Sequence, residues 1–378
     1  MSTFRTLPSQ DATVRVIQVG AGGMGQAWLH NDASNSDVEL VGIVDLNLDA
    51  ARAGAAVYGD PSIPVSTDLT ALIMQTSPDA ILDITVPVAH HPVTTDALFL
   101  GLPVLGEKPA AQTVAEALSL AAAAEVTGEL FMVSQSRRYN DQLVMYRQQA
   151  SLLGALGSVS TEFAKGPHFG GFRDEMDNVL LLDMAIHPFD SVRYLLDRDP
   201  IAVYCESYNP SWSWYRGDAA ASAIFEFEGG IRYTYNGSWC APGLETSWNG
   251  AWRISGADGS ALWNGDEQPT FEVTSGVDAN LVSLPRVGDG IEGSLAAFVT
   301  ALRTGVTPEG EVHGNVMSLA MVEAAIESKD QGRRVLIDDV LDRAYAESVA
   351  HEKRDDVRAK LESWSSVRGA LQGVRVEG

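Results

Sequence analysis

Long apolar runs are missing from this 378-residue chain. No stretch of about 18 apolar residues is present to span a bilayer, so an integral membrane protein is not expected. Cysteine is nearly absent: Cys205 and Cys240 show neither metal-ligand spacing nor the density of a small disulfide framework, and suit a reducing compartment as core or surface thiols. Positive charge is also short. The 26 basic residues face 50 acidic ones, and the net charge of -24 repels phosphate backbones and anionic headgroups wherever no basic patch overrides it. No such patch is visible, so neither nucleic acid nor a membrane surface is an expected partner. Lysine is scarcest, with Lys108, Lys165, Lys329, Lys353 and Lys360 the whole complement. The opening MSTFRTLPSQDATVR has no apolar block behind a basic start, and a cytoplasmic location is expected. No internal repeat is evident.

What is present is an ordinary globular composition, 45% apolar and 20% charged. One core rarely grows past about 250–300 residues, so more than one domain is expected. Apolar runs at VRVIQVG, VELVGIVD, DAILDITVP, PVLGEKP and Leu130–Ser134 alternate with amphipathic or Ala-rich stretches near 24–33, 49–58, 92–100 and 113–127. That alternation predicts an α/β domain with a doubly wound parallel sheet of Rossmann type over 1–137. Helical patterns at 141–153 and 180–196 then lead into alternating aromatic and β-branched residues. SAIFEFEGGIRYTYNGSW reads as a hairpin with Ile231, Tyr233 and Tyr235 on one face, AWRISGADGSALWN as a second turning at 256–259, and IAVYCESY as a further strand. These predict an α+β domain over 138–340 with an open, mostly antiparallel sheet of at least five or six strands, and helices near 291–304 and 313–331. Val357, Leu361, Trp364 and Leu371 recur at helical spacing, so 341–378 reads as an amphipathic helical tail docked on the protein.

Gly20-Ala21-Gly22-Gly23-Met24-Gly25 is a G-x-G-x-x-G between a strand and a helix. The first glycine permits the tight turn, the second lets backbone reach a pyrophosphate, and the third lets the helix pack close while its N-terminus faces the phosphates. Asp45 closes the second strand about 20 residues on, where a carboxylate accepts hydrogen bonds from an adenosine ribose. It repels a 2′-phosphate, and Leu46 and Asn47 offer no offsetting cation, so NAD is favoured over NADP. The alternative is a glycine turn that binds nothing.

Lys108, in Gly106-Glu107-Lys108-Pro109, follows a strand ending at the carboxyl edge of the sheet, where α/β folds bind ligands. There its ammonium can stabilise a developing alkoxide, with Glu107 and Pro109 fixing its direction; on an open surface it is a solvated lysine. Asp183, His187 and Asp190 recur at spacings of four and three on one helix face amid apolar neighbours. His187 beside a carboxylate suits a general base, or equally a core histidine bonded to Asp183 or Asp190. A metal is not expected, because no second histidine converges there. His90 and His91 follow the third strand, as cofactor or substrate contacts or as rim histidines. Trp212, Trp214, Trp239, Trp248, Trp252 and Trp263 crowd the second domain and read as a subunit contact rather than a sugar platform. His168, Arg173 and Trp212 are candidate substrate-selecting loop residues, Arg173 foremost.

Together, GAGGMG, Asp45, GEKP and DMAIHPFD, with SRRYN and the FEGG hairpin, resemble the Gfo/Idh/MocA family over residues 14 to 338. The resemblance implies a Rossmann domain, an α+β domain with an open antiparallel sheet, and dimers or tetramers assembled through that sheet. It matches Lys108 to the family's E-K-P lysine and Asp183 and His187 to its D-x-x-x-H. It implies that His187 takes a hydroxyl proton, Lys108 polarises that oxygen, and Asp183 holds the substrate or His187 as hydride leaves for nicotinamide. Pro87 and His91 match T-P-x-x-x-H, with Val86 in place of Thr, and with Glu107 and Lys108 join the expected cofactor contacts. Where many members carry Gly-Gly-x-Leu, this chain has Asn178-Val179-Leu180-Leu181-Leu182, so the approach to that helix differs. The expected function is an NAD-dependent dehydrogenase acting on a secondary hydroxyl of a monosaccharide, sugar derivative or cyclic polyol. The alternatives are an NAD-retaining glycosidase acting by transient oxidation and a non-catalytic nucleotide-binding regulator.

Overall fold

A computed structural model of the chain describes residues 4–274 and 288–372. Residues 275–287, within the expected second domain, and 373–378, at the end of the expected tail, lie outside the described residues. The chain forms two compact units: the described parts of Met1–Ser136, Val287–Val316 and Arg343–Gly378, and those of Arg137–Arg286 and Met317–Asp342.

The first unit opens with β1 (Val14–Val19), α1 (Gly23–Asp32), β2 (Val38–Val44), α2 (Leu48–Tyr58), β3 (Val65–Ser66), α3 (Leu69–Thr76), β4 (Ala80–Asp83), α4 (Pro87–Phe99), β5 (Val104–Glu107), α5 (Val114–Thr127) and β6 (Phe131–Ser134). Its strands form one parallel sheet in the order β3-β2-β1-β4-β5-β6. The order reverses between β1 and β4, the switch point beside which such sheets bind ligands. Val14, Val16, Ile17 and Val19 are buried, the near-continuous apolar run of a strand covered on both faces. Asn47 caps α2 through the amides of Asp49 and Ala50, and Gly59 ends it in the left-handed region.

The fourth helix differs from the sequence reading. It starts at Pro87, not near Pro92, because Pro87 occupies the first helical position, where a missing N–H costs nothing and φ is preset. His90 and His91 therefore stand on a helix and not on an overhanging loop.

The second unit holds α6 (Asp141–Ser151), β7 (Leu156–Ala164), a π-helical turn at Leu180–Ala185, α7 (Ile186–Leu196), β8 (Pro200–Tyr208), β9 (Ala220–Phe227), β10 (Arg232–Ser238), β11 (Ala251–Gly256), β12 (Gly259–Trp263) and β13 (Thr270–Val273). The chain continues as α8 (Gly290–Thr304) in the first unit, then α9 (Val312–Gln331), β14 (Val335–Leu336), α10 (Ile337–His351), α11 (Asp355–Glu362) and α12 (Val367–Gln372). The second sheet runs β13-β12-β11-β7-β10-β9-β8-β14, antiparallel except where β10 pairs β7 in parallel.

Register separates the two faces of this sheet. Cys205, Ala223, Tyr235, Thr161, Trp252 and Trp263 form one cross-strand row, and all are buried. The adjacent row, Tyr204, Ile224, Thr234, Ser160, Arg253 and Leu262, is partly or fully open to solvent. Phe189 of α7 packs edge-on against Phe225, Tyr233 and Tyr235 of the inner face. The expectation that the tryptophan-rich hairpins form a subunit contact is corrected for Trp239, Trp252 and Trp263. The two-residue period turns them inward, where they complete this unit's own core.

Candidate active site

In the first unit the glycine turn follows β1 at the switch point. Gly20 has φ +99°, and a Cβ there would lie 2.3 Å from the Ile84 carbonyl oxygen, so no other residue fits. A Cβ on Gly25 would meet the Gly20 carbonyl oxygen at 2.3 Å, which is the close passage of helix over turn. At Gly22 and Gly23 a Cβ would meet nothing within 4 Å. This opening is the space that a phosphate needs next to backbone. Gly22 caps α1 without any side-chain hydrogen bond, and no acidic residue stands in the first turn to repel an anion. Met24 beside it is half exposed.

Sequence reasoning missed Gln18. It is fully buried in β1, and its amide donates to the carbonyl oxygens of Gly20 (2.7 Å) and Gly25 (3.0 Å), clamping both ends of the turn. Asp45 is held as firmly, accepting the Ala21 N–H on Oδ2 and the Asn47 N–H on Oδ1, each at 2.8 Å. The opening over Gly22 and Gly23 and the oriented carboxylate fit an NAD pyrophosphate and ribose.

Lys108 is half-buried just beyond β5. Its backbone N–H donates to Glu107 Oε2 at 3.1 Å, while Glu107 Oε1 accepts the Trp28 indole N–H at 2.9 Å. His90, 2% exposed, sets Nδ1 at 2.7 Å from the Pro109 carbonyl oxygen and Nε2 at 3.1 Å from that of Thr85. Pro87 opens α4. One position after His90, the ring of His91 sets Nε2 3.0 Å from Ser119 Oγ, which itself donates to Glu352; burial pushes the His91 pKa down.

In the second unit Asp183 lies on the π-helical turn and His187 on the first turn of α7. Such wide turns recur at functional sites. Arg173 Nε donates to Asp183 Oδ2 at 2.7 Å, and its guanidinium rests over the rings of Phe169 and Phe172. Asp190, grouped with them by spacing, accepts two 2.7 Å bonds from Arg138 and another from Ser318 Oγ, and so serves the core. His168 stacks on Trp214 at 3.7 Å, and Trp212 donates to the Cys240 carbonyl oxygen. Among the described residues no group of three His, Cys, Asp or Glu could hold a metal, and no helix is long and apolar enough to cross a membrane.

Comparison with known proteins identifies the family. The model for the NAD-binding Rossmann fold of the GFO/IDH/MocA oxidoreductase family matches residues 14–135, and that for the family's C-terminal domain matches 147–262. The chain belongs to this family, and its first unit is an NAD-binding Rossmann domain. It is 27% identical to the uncharacterized protein y4oX of Sinorhizobium fredii, over 87% of this chain and 97% of that one. It is 31% identical to inositol 2-dehydrogenase 4 of Saccharopolyspora erythraea, over 50% of this chain and 56% of the relative. Among solved structures, an oxidoreductase from Agrobacterium radiobacter, in complex with NAD+, L-tartaric acid and magnesium, shares the fold with a TM-score of 0.76. It is 18% identical, with 87% of this chain and 100% of that one covered.

Proposed function

We propose that the protein is an NAD-dependent dehydrogenase that oxidises a secondary hydroxyl of a monosaccharide, a sugar derivative or a cyclic polyol. One observation carries this reading: in a family of NAD-binding oxidoreductases, the chain keeps Lys108 on a braced turn and an Arg173-held Asp183 ahead of His187. NAD, when bound, supplies the hydride acceptor. Gly20, Gly22, Gly23, Met24 and Gly25 hold its pyrophosphate, Asp45 its ribose, and Pro87 and His91 complete its surroundings, while Glu107 acts through the Lys108 turn.

His187 takes the hydroxyl proton, as only a neutral imidazole can. Lys108 donates a hydrogen bond to the same oxygen and stabilises the alkoxide that forms. Asp183 holds the substrate or His187, and Arg173 fixes that carboxylate and contacts the substrate. Asp45 favours NAD over NADP by repelling a 2′-phosphate. We propose, too, a homodimer or homotetramer built through the second unit's sheet.

The test is NADH formation across a panel of sugars and polyols, myo-inositol among them. His187→Ala is expected to lose about 10²- to 10⁴-fold in kcat with NAD affinity unchanged, and the wild-type rate is expected to rise as pH strips the imidazole of its proton. Near wild-type turnover in His187→Ala would remove it as the base. Glycoside cleavage without net NADH would instead favour the NAD-retaining glycosidase.

A further inference from the structure

We propose that Trp28 is a positioning residue for Lys108, acting through Glu107; this rests on the role given to Lys108 above. Trp28 is fully buried on α1, and its indole N–H can only donate. The acceptor it meets is a carboxylate that is itself 7% exposed. The two Glu107 oxygens divide their work: Oε1 takes the indole of α1, and Oε2 takes the backbone N–H of Lys108. On the other side of the lysine, the His90 ring stands between two carbonyl oxygens, Nδ1 at 2.7 Å from that of Pro109 and Nε2 at 3.1 Å from that of Thr85 beyond β4, and a neutral ring donates to one of them. Two buried polar side chains, Glu107 and His90, thus meet the backbone of this turn, and Trp28 backs the first of them.

A solvated lysine needs no such bracing. Burying a carboxylate, an indole N–H and an imidazole is tolerable only when each is partnered, and here the partnering fixes where the Lys108 side chain starts. Trp28 stands on the helix whose first turn borders the opening at Gly22 and Gly23. One rigid element therefore seats the cofactor's phosphates and sets the backbone of the lysine. A substrate oxygen must find its donor to within a few tenths of an ångström, so loosening this brace weakens alkoxide stabilisation and leaves cofactor affinity alone.

Trp28→Phe keeps the buried ring and deletes the donor. In the cofactor-free protein, amide exchange over residues 104–112 is expected to rise while that over β1 and β2 stays at the wild-type level. NAD affinity is expected to stay within about twofold, and kcat for the best substrate of the panel to fall about 10-fold with little change in KM, a typical cost for one hydrogen bond to a charged group. In a Lys108→Ala background Trp28→Phe is expected to cost nothing further, since the group it positions is gone. An equal loss in both backgrounds, or wild-type exchange and kcat, overturns the brace. If Trp28→Phe does not fold, Glu107→Gln serves in its place: an amide cannot accept on both sides, and the same exchange, kcat and double-mutant outcomes apply. A Lys108→Ala enzyme as active as wild type overturns the role of Lys108 itself, a different failure from that of Trp28.

Discussion

Asp45 is held by the protein's own backbone: two N–H groups fix both of its oxygens. A carboxylate so oriented accepts ribose hydroxyls with no further ordering cost, and it meets a 2′-phosphate as a fixed like charge. Calorimetric titration is expected to show NAD binding at least about 10-fold more tightly than NADP, the scale of one charge-assisted hydrogen bond. Asp45→Ala is expected to shrink that gap from the NAD side. Equal wild-type affinities would break the assignment. Residues whose demand is on the backbone were legible in this way, since Gly20 and Gly25 leave no room for a Cβ and Asp45 sits at a fixed distance from them along the chain. Gln18 was not legible. A single amide inside an apolar strand carries no periodic signal, and its two carbonyl acceptors become neighbours only once the turn has closed.

Among the elements, the strongly periodic strands and helices of the first unit follow from the sequence, but β7 does not. Its LGSVSTEFA alternates weakly, with small polar residues on both faces, and it is placed by pairing with β10 and β11. The C-terminal region reads as amphipathic, and its Val357, Leu361 and Leu371 are buried; a polar cluster stands beside them. His313, buried at the start of α9, sets Nδ1 2.7 Å from Glu311 and Nε2 3.0 Å from Glu125 of α5. Lys360 of α11 and the Trp364 indole reach the same Glu125. Burial pulls the His313 pKa down, but the carboxylates of Glu311 and Glu125 outweigh it and hold it up at about 10. Burial pushes Glu125 up, and the hydrogen bonds from His313 and Lys360 overcome this and take it to about 2. The raised histidine stabilises the fold fully below its ordinary pKa of 6.5 and loses that contribution as pH climbs through about 10. The lowered carboxyl contributes above 4.5 and loses it as pH falls through about 2. Both act between these ordinary values. His313→Gln is expected to cost about 3 kcal/mol there by urea unfolding, the scale of breaking a buried ion pair. The cost is expected to fade as pH approaches about 10. A cost that does not vary with pH would show that packing, not charge, is what His313 supplies.

At the scale of the whole molecule, no periodicity tells which unit a segment joins. The described part of Val287–Val316 returns to the first unit before Met317–Asp342 completes the second, and all but the end of Arg343–Gly378 returns after it. Only three-dimensional packing, such as α8 on β6 and α11 on α5, decides that. The assembly proposed above likewise rests on register and not on tryptophan count. With Trp252 and Trp263 turned inward, the second sheet presents the row Tyr204, Ile224, Thr234, Ser160, Arg253 and Leu262 across six adjoining strands. Tyr204, Ile224 and Leu262 are 40%, 51% and 48% exposed, large side chains left to water on one face. A twofold axis through that face would bury the row against the same row of a second copy, because an isologous contact pairs one patch with itself, residue i on j and j on i. The opposing influence is a net charge of -24 on each copy, which repels at long range and is screened by salt. Light scattering at micromolar concentration is therefore expected to give a dimer or tetramer whose association strengthens between about 0.01 and 0.15 M salt, as the Debye length falls from about 30 to about 8 Å. Ile224→Glu, which sets a carboxylate within the row, is expected to shift the protein to monomers of 40.4 kDa while leaving its unfolding midpoint within a few degrees. A wild-type monomer at every salt concentration would overturn assembly through this face.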